Sequence, residues 1–215
     1  MINHQTSFPI RNIGFFLKNC QRRSYKPKGA IINTGDCSNS LFDILSGSVA
    51  VIVEDSDGKE ITLTYLNPGD FVGEMGLFEE NPRSALIRAK TKCELGEISY
   101  TKFFFLSAKH PEFIFAIARQ ISMRLARTSR KACDLAFLDV GGRVASTLID
   151  LCQEPDAQVK TNGTYLRITC QEIARIAGCS REMVGKILKD LAANQFISLH
   201  GKTIVVLKII NKRYR

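Results

Sequence analysis

Arg181, Glu182 and Lys186 are the residues whose types and spacing most clearly suggest chemistry. Each can hydrogen-bond the edge of a base: Arg and Lys pair with guanine O6 and N7, and Glu accepts from cytosine N4. At 100° per residue the three side chains share one face of a helix. The opposite face is apolar and consists of Val184, Ile187, Leu188 and Leu191. The pattern favours a helix that packs on one side and meets double-stranded DNA with the other.

Residues 169–191 contain these side chains, and their pattern predicts two short helices joined by a tight turn. Thr169 and Glu172 have the spacing of a capping box at the first helix, and Gly178 ends it. Ser180 suits the N-cap of the second helix. A helix-turn-helix is one interpretation. An ordinary helical hairpin with a solvated face is the alternative on spacing alone.

Two strand-like runs, 196–200 and 203–207, follow the second helix, with Gly201-Lys202 between them as a hairpin turn. Such a hairpin would form a wing beside the helix pair. His200 and Lys202 lie at its tip, where they suit phosphate contacts. This order of three elements favours the DNA-binding interpretation over the simple hairpin.

A second candidate site lies in the Gly-rich segment 69–85. Gly73 permits close backbone approach, and Glu74 can accept hydrogen bonds from sugar hydroxyls. Arg83 supplies a planar fork that suits a phosphate, and Ser84 adds a hydroxyl. A structural loop with a surface ion pair explains the same residues, so both alternatives stay open.

Residues 25 to 100 alternate short apolar runs with turn signals, mostly 11 or 12 residues apart. The turn signals are Lys28-Gly29, Gly35-Asp36, Ser46-Gly47, Asp57-Gly58 and Pro68-Gly69. Short strands at this spacing indicate a β-sandwich or barrel. Together with the helical C-terminal part, they predict an α+β chain.

Residues 111–137 predict one long helix with a heptad-like apolar seam. The seam consists of Ile114, Ile117, Ile121, Leu125, Thr128, Ala132 and Leu135. It would form either a two-fold dimer contact or the packing of the helix on its own β domain. Thr128 and the adjacent Ser129 place polar groups in the seam, which costs stability unless they set register or bind something.

Composition agrees with a polyanionic partner. The chain has 215 residues and a formal net charge of +9. Residues 137–215 contain twelve basic and seven acidic residues, so this shorter part carries more than half of the net positive charge. A basic patch favours nucleic acid, although a solvated basic surface is the plain alternative.

Several classes of protein are disfavoured. The seven cysteines are scattered without a CxxC pair, so we expect reduced thiols and no metal site. No Ser/His/Asp or Cys/His arrangement indicates catalysis, and we expect no enzyme activity. We see no apolar run of membrane-spanning length and no signal peptide, so we expect a cytoplasmic protein without a membrane partner.

The chain resembles the CRP/FNR superfamily of cyclic-AMP-receptor-type transcription regulators over nearly its whole length. The matching stretches are GSVAV, GDFVGE, GLFEE, LAFLDV, GCSRE, VGKILK and HGKTIVV. The resemblance implies an N-terminal cyclic-nucleotide-binding β-roll of jelly-roll type at 1–110. It further implies a dimerisation helix at 111–137 and a C-terminal winged helix-turn-helix at 138–215.

The resemblance also implies cyclic AMP as the effector. Gly73 and Glu74 match the family's ribose-contacting pair, and Arg83 and Ser84 match its cyclic-phosphate clamp. The same fold responding to another effector, such as cyclic di-GMP, is the alternative. The segment before Arg83 is one residue shorter than in the best-known member and contains Pro82, so its loop shape is expected to differ.

Thr128 and Ser129 match helix residues that reach the adenine, with Ser129 coming from the other subunit of a homodimer. Binding would shift a population of conformers by moving the DNA-binding part about a hinge at 138–142. Gly141 and Gly142 would give that hinge low steric resistance.

In the DNA module, Arg181, Glu182 and Lys186 match the base-reading positions. The implied phosphate contacts are Ser180, His200 and Lys202. The resemblance implies TGTGA-like half-sites, activation or repression of promoters, and contact with RNA polymerase. The best-known member has Arg in place of Lys186 and Thr in place of Met183. A ligand sensor without DNA function is the alternative, which the complete winged helix pair argues against.

Overall fold

The computed structural model describes residues 13–78 and 82–207. Three segments lie outside these ranges: residues 1–12, 79–81 and 208–215. The first and last are the outer ends of the predicted terminal domains, and 79–81 are part of the predicted binding segment. The chain forms two compact units that divide between Thr128 and Ser129.

The first unit is a two-sheet β-roll, as the sequence predicts. Its strands are β1 (Gln21–Tyr25), β2 (Ala30–Ile32), β3 (Ser40–Ser46), β4 (Val49–Glu54), β5 (Glu60–Leu66), β6 (Phe71–Val72), β7 (Leu86–Ala89) and β8 (Cys93–Ser99). One sheet has the order β1-β8-β3-β6 and the other β2-β7-β4-β5, with every described pairing antiparallel. Apolar residues from both sheets, including Phe42, Ile44, Val49 and Leu95, form the core between them.

Predicted turns join the strands. At Ser46-Gly47, between β3 and β4, Gly47 has φ +83°, and a Cβ there would collide with the carbonyl oxygen of Lys92. Only glycine fits this close approach, which explains the residue type at the turn.

Three helices follow or precede the strands of this unit: α1 (Ile13–Lys18), α2 (Tyr100–Lys109) and α3 (Glu112–Phe137). Helices α1 and α2 and the first half of α3 pack on the outer face of the β1-β8-β3-β6 sheet. A second core cluster includes Phe16 of α1, Phe103 of α2, and Phe113 and Ile117 of α3. The observed α3 agrees with the predicted long helix. However, Ile117 is buried in the core of its own unit, whereas Leu125 is exposed, so the residues of the predicted seam do not share one environment. Core packing and a helix–helix contact both require apolar residues at helical spacing, so the sequence pattern alone does not separate them.

The second unit contains α4 (Val140–Leu151), β9 (Gln158–Lys160), β10 (Gly163–Arg167), α5 (Cys170–Ala177), α6 (Arg181–Ala193), β11 (Ile197–His200) and β12 (Thr203–Val206). Its strands form one antiparallel sheet in the order β11-β12-β10-β9. The β11–β12 hairpin is the predicted wing, with Gly201 in the left-handed region at φ +60°. Strands β9 and β10, which were not predicted, extend the wing into a four-stranded sheet.

The two glycines of the expected hinge lie at the start of α4. Gly141 and Gly142 lie inside the first helical turn and have no positive φ. Asp139 is the N-cap, and its side chain accepts a hydrogen bond from the Gly142 amide at 2.7 Å. Arg143 donates to the carbonyl oxygens of Leu138 and Ala177. The cap therefore holds the glycines in a helix, and the irregular joint is confined to residues 138–139.

Strand β3 carries a buried carboxylate on the face that meets the helices. Asp43 is 3% exposed, and its Oδ1 has no hydrogen-bond partner among the described residues. Burial, reinforced by the negative charge of Asp70, raises the pKa of Asp43 to about 7. Burial also raises the pKa of Asp70, although the Asn67 amide and the charges of Arg124 and Arg127 oppose this rise. The ionised form of Asp43 therefore destabilises the first unit at neutral pH.

We expect Asp43→Asn to stabilise the chain at pH 8 and to flatten its pH dependence. The pKa of Asp43 is higher in the folded than in the unfolded chain, so its bound proton stabilises the fold, and this contribution to the free energy of unfolding is complete below about pH 4. It is lost as the pH rises through about 7. The parent should lose up to about 1.4 kcal/mol per pH unit in this window from Asp43. Denaturant unfolding at pH 5, 6, 7 and 8 measures it, with the exposed Asp57→Asn as control. Equal pH slopes for parent and Asp43→Asn would contradict the assignment.

Among the described residues, no helix combines the length and apolarity needed to cross a bilayer. Within the same ranges, no group of three or more His, Cys, Asp or Glu side chains is arranged to hold a metal ion.

Candidate functional site

The first candidate site lies where the chain leaves β6. Gly73 has φ +81°, and a Cβ there would collide with the guanidinium of Arg83 and approach the Ser40 carbonyl oxygen to 3.0 Å. Glu74 then starts a single 3₁₀ turn, Met75–Leu77. Only glycine at 73 lets the backbone pass this close to the arginine, so the predicted role of Gly73 in close approach has a physical basis here.

Arg83 is 8% exposed and lies under this loop. Its Nη1 donates to the Gly73 carbonyl at 3.0 Å and to the Tyr100 hydroxyl at 2.9 Å. Its Nη2 donates to the Ser40 carbonyl at 2.6 Å. Tyr100 in turn donates to the Gly73 carbonyl at 2.5 Å and shares a 2.7 Å hydrogen bond with Ser38. These contacts hold a buried positive charge in one orientation beside a glycine backbone, which is an arrangement suited to an anion.

Glu74 is buried and paired with an arginine that the sequence analysis did not single out. Arg124 of α3 donates from Nη1 to Glu74 Oε1 at 2.6 Å and from Nη2 to the Phe71 carbonyl oxygen. One helical turn earlier, Gln120 accepts from the Phe71 amide at 2.8 Å and donates to the Gly69 carbonyl at 2.9 Å. Helix α3 therefore holds the backbone and the carboxylate of this loop through two residues spaced i and i+4.

We expect Arg124→Met to lower both the stability of the first unit and its ligand affinity. The substitution leaves a buried carboxylate without its cation and a buried carbonyl without a donor, which costs about 1–3 kcal/mol or more. Arg127→Met removes the same charge from an exposed position and should change stability by at most about 0.5 kcal/mol. Denaturant unfolding and ligand titration of both variants test this. Equal effects of the two substitutions would contradict a specific role for Arg124.

The other predicted ligand residues are more exposed. The Ser84 hydroxyl lies 3.5 Å from the Met75 sulfur at the surface next to Arg83. Thr128 is exposed one helical turn after Arg124. Ser129 is exposed as well. The structure therefore brings Gly73, Glu74, Arg83 and Ser84 together around one short turn. The roles of Thr128 and Ser129 in contacting adenine stay predictions.

A signal for the missed residues exists in α3. Phe113, Ile117, Gln120 and Arg124 recur at steps of four, three and four. They form one stripe whose apolar half enters the core and whose polar half meets the β6 loop. The heptad assignment obscured this stripe because, after Ile117, it followed Ile121 and Leu125, the residues next to Gln120 and Arg124.

The second candidate site is the helix pair α5–α6, which forms as predicted. Thr169 and Glu172 make both capping-box hydrogen bonds, at 2.9 and 3.2 Å. Gly178 ends α5 with φ +63°, in the left-handed region that glycine tolerates. Ser180 caps α6 by accepting from the Met183 amide at 3.2 Å. Local sequence therefore determines where α5 ends and where α6 begins.

On α6, Val184, Leu188 and Leu191 are buried. Arg181, Glu182 and Lys186 are exposed on the other face. The pKa of Glu182 is lowered, first by its own backbone N–H and then by the Ser180 hydroxyl. Its carboxylate is therefore held ionised as a hydrogen-bond acceptor at the exposed start of the helix.

The predicted phosphate-contacting residues flank this face. Ser180 is exposed at the start of α6, and Lys202 is exposed at the tip of the wing. His200 is exposed at the end of β11, with its Nε2 3.2 Å from the Ser198 hydroxyl. The geometry places hydrogen-bonding groups on a helix N-terminus and a hairpin tip of the same unit, and their contacts with DNA stay predictions.

Two family models match the chain in the order of these sites. A cyclic nucleotide-binding domain matches residues 22–110, which contain Gly73, Glu74 and Arg83. A Crp-like helix-turn-helix domain matches residues 142–209, which contain α5, α6 and the wing.

Similar proteins span almost the whole chain. The cAMP-activated global transcriptional regulator Vfr of Pseudomonas aeruginosa is 50% identical over 201 residues, or 92% of this chain and 94% of Vfr. The cAMP-activated global transcriptional regulator CRP of Salmonella typhimurium is 50% identical over 193 residues, 89% of this chain and 92% of its own. The structure of the c-di-GMP-responsive regulator CLP of Xanthomonas campestris is 44% identical, with a TM-score of 0.85 over 91% of this chain and 97% of CLP. Because both domain models match in order and relatives at half identity cover nine-tenths of its length, the chain belongs to the CRP/FNR family of transcription regulators.

Proposed function

We propose that this chain is a cyclic-AMP-dependent, homodimeric transcription regulator that binds palindromic DNA sites. The observation that carries the proposal is the buried Arg83 fork beside the Gly73 backbone, in a chain that also presents a capped, polar-faced α6. An anion pocket and a base-reading helix in one polypeptide suit a ligand-controlled DNA-binding protein and require no catalytic step.

Cyclic AMP suits the pocket because it offers one negative charge and a ribose hydroxyl. Arg83 would neutralise the cyclic phosphate with Ser84 beside it. Glu74, held by Arg124, would accept from the ribose. Gly73 would allow the backbone to approach the ligand. The names of Vfr and CRP support this effector.

Cyclic di-GMP is the second candidate, and the similarity to CLP favours its consideration. It carries two phosphates and two guanines, so it would need more than one cation and donors for guanine edges. Among the described residues, Arg83 is the buried cation beside the Gly73 backbone, and the charge of Arg124 at this loop is already paired with Glu74. This charge count favours the cyclic mononucleotide.

A calorimetric titration with cyclic AMP, cyclic GMP and cyclic di-GMP tests the effector. We expect cyclic AMP to bind most tightly and to be required for binding to a palindromic DNA duplex in the same buffer. Tighter binding of cyclic di-GMP, or DNA binding that no nucleotide changes, would contradict the proposal.

The proposed domains are 1–110 for nucleotide binding, 111–137 for dimerisation and 138–215 for DNA binding. Thr128 and Ser129, the latter from the partner subunit, would contact the adenine. Ligand contacts made by two α3 helices would favour one arrangement of the DNA-binding domains over others, which is a population shift. The joint would be residues 138–139, since the following glycines are helical.

Leu125→Asp should convert the dimer into monomers. Leu125 is 66% exposed on α3, whereas Ile121 packs partly against its own core, so Leu125 is the cleaner probe of a dimer contact. A two-fold contact would bury two aspartates near each other without partners. Sedimentation of Leu125→Asp and of the neighbouring exposed Ala126→Asp measures this. A Leu125→Asp dimer of parental stability would remove Leu125 from the interface.

The regulator would act at promoters as activator or repressor, in contact with RNA polymerase and in the cytoplasm. Names of the relatives as global transcriptional regulators support promoter control. Reconstituted transcription with and without cyclic AMP tests the polymerase contact.

A further inference from the structure

Met183 is an exposed apolar side chain in the first turn of α6. It is 41% exposed, although the next residue, Val184, is fully buried. At 100° per residue its side chain lies about 60° from Lys186 and next to the cap residue Ser180. It also lies about 40° from Ile187 of the apolar stripe, so it stands at the border of the reading face, and its exposure leaves it able to meet a partner there.

Its backbone is fixed before any DNA binds. The Ser180 hydroxyl accepts a hydrogen bond from the Met183 amide at 3.2 Å, which anchors the root of the side chain to the helix cap. The thioether remains flexible and polarizable, and as a weak acceptor it cannot donate to a phosphate.

Docking of α6 in a major groove would remove water from its first turn, because the N-terminal residues of such a helix contact the base edges. An apolar side chain there needs an apolar partner. The C5-methyl group of thymine is the apolar group that the major-groove edges of unmodified DNA present.

We propose that Met183 is a specificity-determining residue that packs on the methyl group of one thymine in each half-site. This inference rests on the proposed DNA-binding function and adds a base contact to Arg181, Glu182 and Lys186. Because Met183 neighbours Lys186, the thymine would adjoin the base pair that Lys186 reads. The expected TGTGA half-site places thymines beside guanines, so a suitable partner is available.

Removal of single thymine methyl groups from the DNA tests the contact. The parent chain, saturated with cyclic AMP, first selects its own site from random duplexes. Each thymine of that site, on both strands, is then replaced by deoxyuridine, which keeps the base pair and removes only the methyl group. Replacement at one position should weaken binding about fourfold per half-site, which is the effect expected from the loss of about one buried methylene-sized group. The remaining positions should change little.

Protein variants then assign the effect to the side chain. Met183→Ala should bind the thymine and uracil sites equally at that position. Met183→Leu, which keeps an apolar side chain, should retain most of the penalty. Leu199→Ala is the matched control, because Leu199 is 42% exposed on β11 of the same unit. It should show the parental uracil profile.

The outcomes separate the inference from the function on which it rests. A selected palindrome with no uracil penalty at any position, or an undiminished penalty in Met183→Ala, overturns the Met183 contact and leaves DNA binding intact. Failure of the parent to select any duplex overturns the proposed function and the Met183 contact with it.

Discussion

Arg83→Ala is expected to lower the affinity for cyclic AMP at least roughly tenfold and to destabilise the first unit. A charge-assisted hydrogen bond to the cyclic phosphate is worth about 1.5–3 kcal/mol, and the buried fork would provide it. The same substitution leaves the Ser40 carbonyl oxygen without the donor that now reaches it at 2.6 Å, whereas the Gly73 carbonyl oxygen keeps its hydrogen bond from Tyr100. Each unsatisfied buried acceptor costs about 1–3 kcal/mol.

Two further variants separate the ligand contact from the loss of stability. Tyr100→Phe removes the hydroxyl that bridges Arg83 and Gly73 but keeps the charge, so it should cost stability and little affinity. Arg83→Lys keeps the charge but cannot span both carbonyls as a planar fork, so its affinity should remain below that of the parent. Denaturant unfolding and calorimetric titration of all three variants provide the data. If Arg83→Ala is folded and titrates like the parent, the phosphate binds elsewhere.

The partners of the pocket residues explain how much of this site the sequence could predict. The segment 69–85 was recognisable because Gly73, Glu74 and Arg83 are close in the chain and resemble a family motif. Arg83 is held by Ser40 and Tyr100, which are 43 and 17 residues away. Glu74 is held by Arg124, which is 50 residues away. Such contacts depend on how β3, α2 and α3 pack, and no local rule encodes that packing.

The helix pair could be predicted more completely because its determinants are local. The capping box of Thr169 and Glu172, the left-handed Gly178 and the Ser180 cap each act within three or four residues, and all were found as predicted. Strands β9 and β10 were missed because they show little apolar pattern. Every residue of β9 is exposed, and three of the five residues of β10 are exposed or half-buried. By contrast β12, with only four residues, is an apolar run with three buried positions.

Helix α3 marks the limit of periodicity arguments. Its length was predictable, but the sequence could not assign each apolar residue to the right neighbour. Ile117 is buried in its own core and Leu125 is exposed, although both occupy the same predicted seam. A core and a second subunit both select apolar residues at three- and four-residue spacing, so only packing distinguishes them.

Arg181→Ala is expected to weaken binding to the selected palindrome and to relax base preference at one position in each half-site. Loss of a bidentate contact to guanine costs about 1–3 kcal/mol, or roughly 5- to 150-fold per half-site. Because a dimer uses two half-sites, the total loss of binding free energy should be about twice the loss for one half-site. Glu182, whose carboxylate is held ionised at the helix start, should keep its preference for the neighbouring pair.

Lys202→Ala is the matched control, since it also removes one exposed cation but from the wing tip. It should weaken all sequences alike and reduce the slope of log affinity against log salt by about one per half-site. Lys186→Arg should sharpen the preference at a different base pair, because a planar fork replaces a point charge. Binding-site selection with saturating cyclic AMP, followed by salt titrations, compares the parent with the three variants. If Arg181→Ala selects the same motif with undiminished preference at every position, α6 does not read the DNA sequence, and the pocket around Arg83 alone would then support the proposed function.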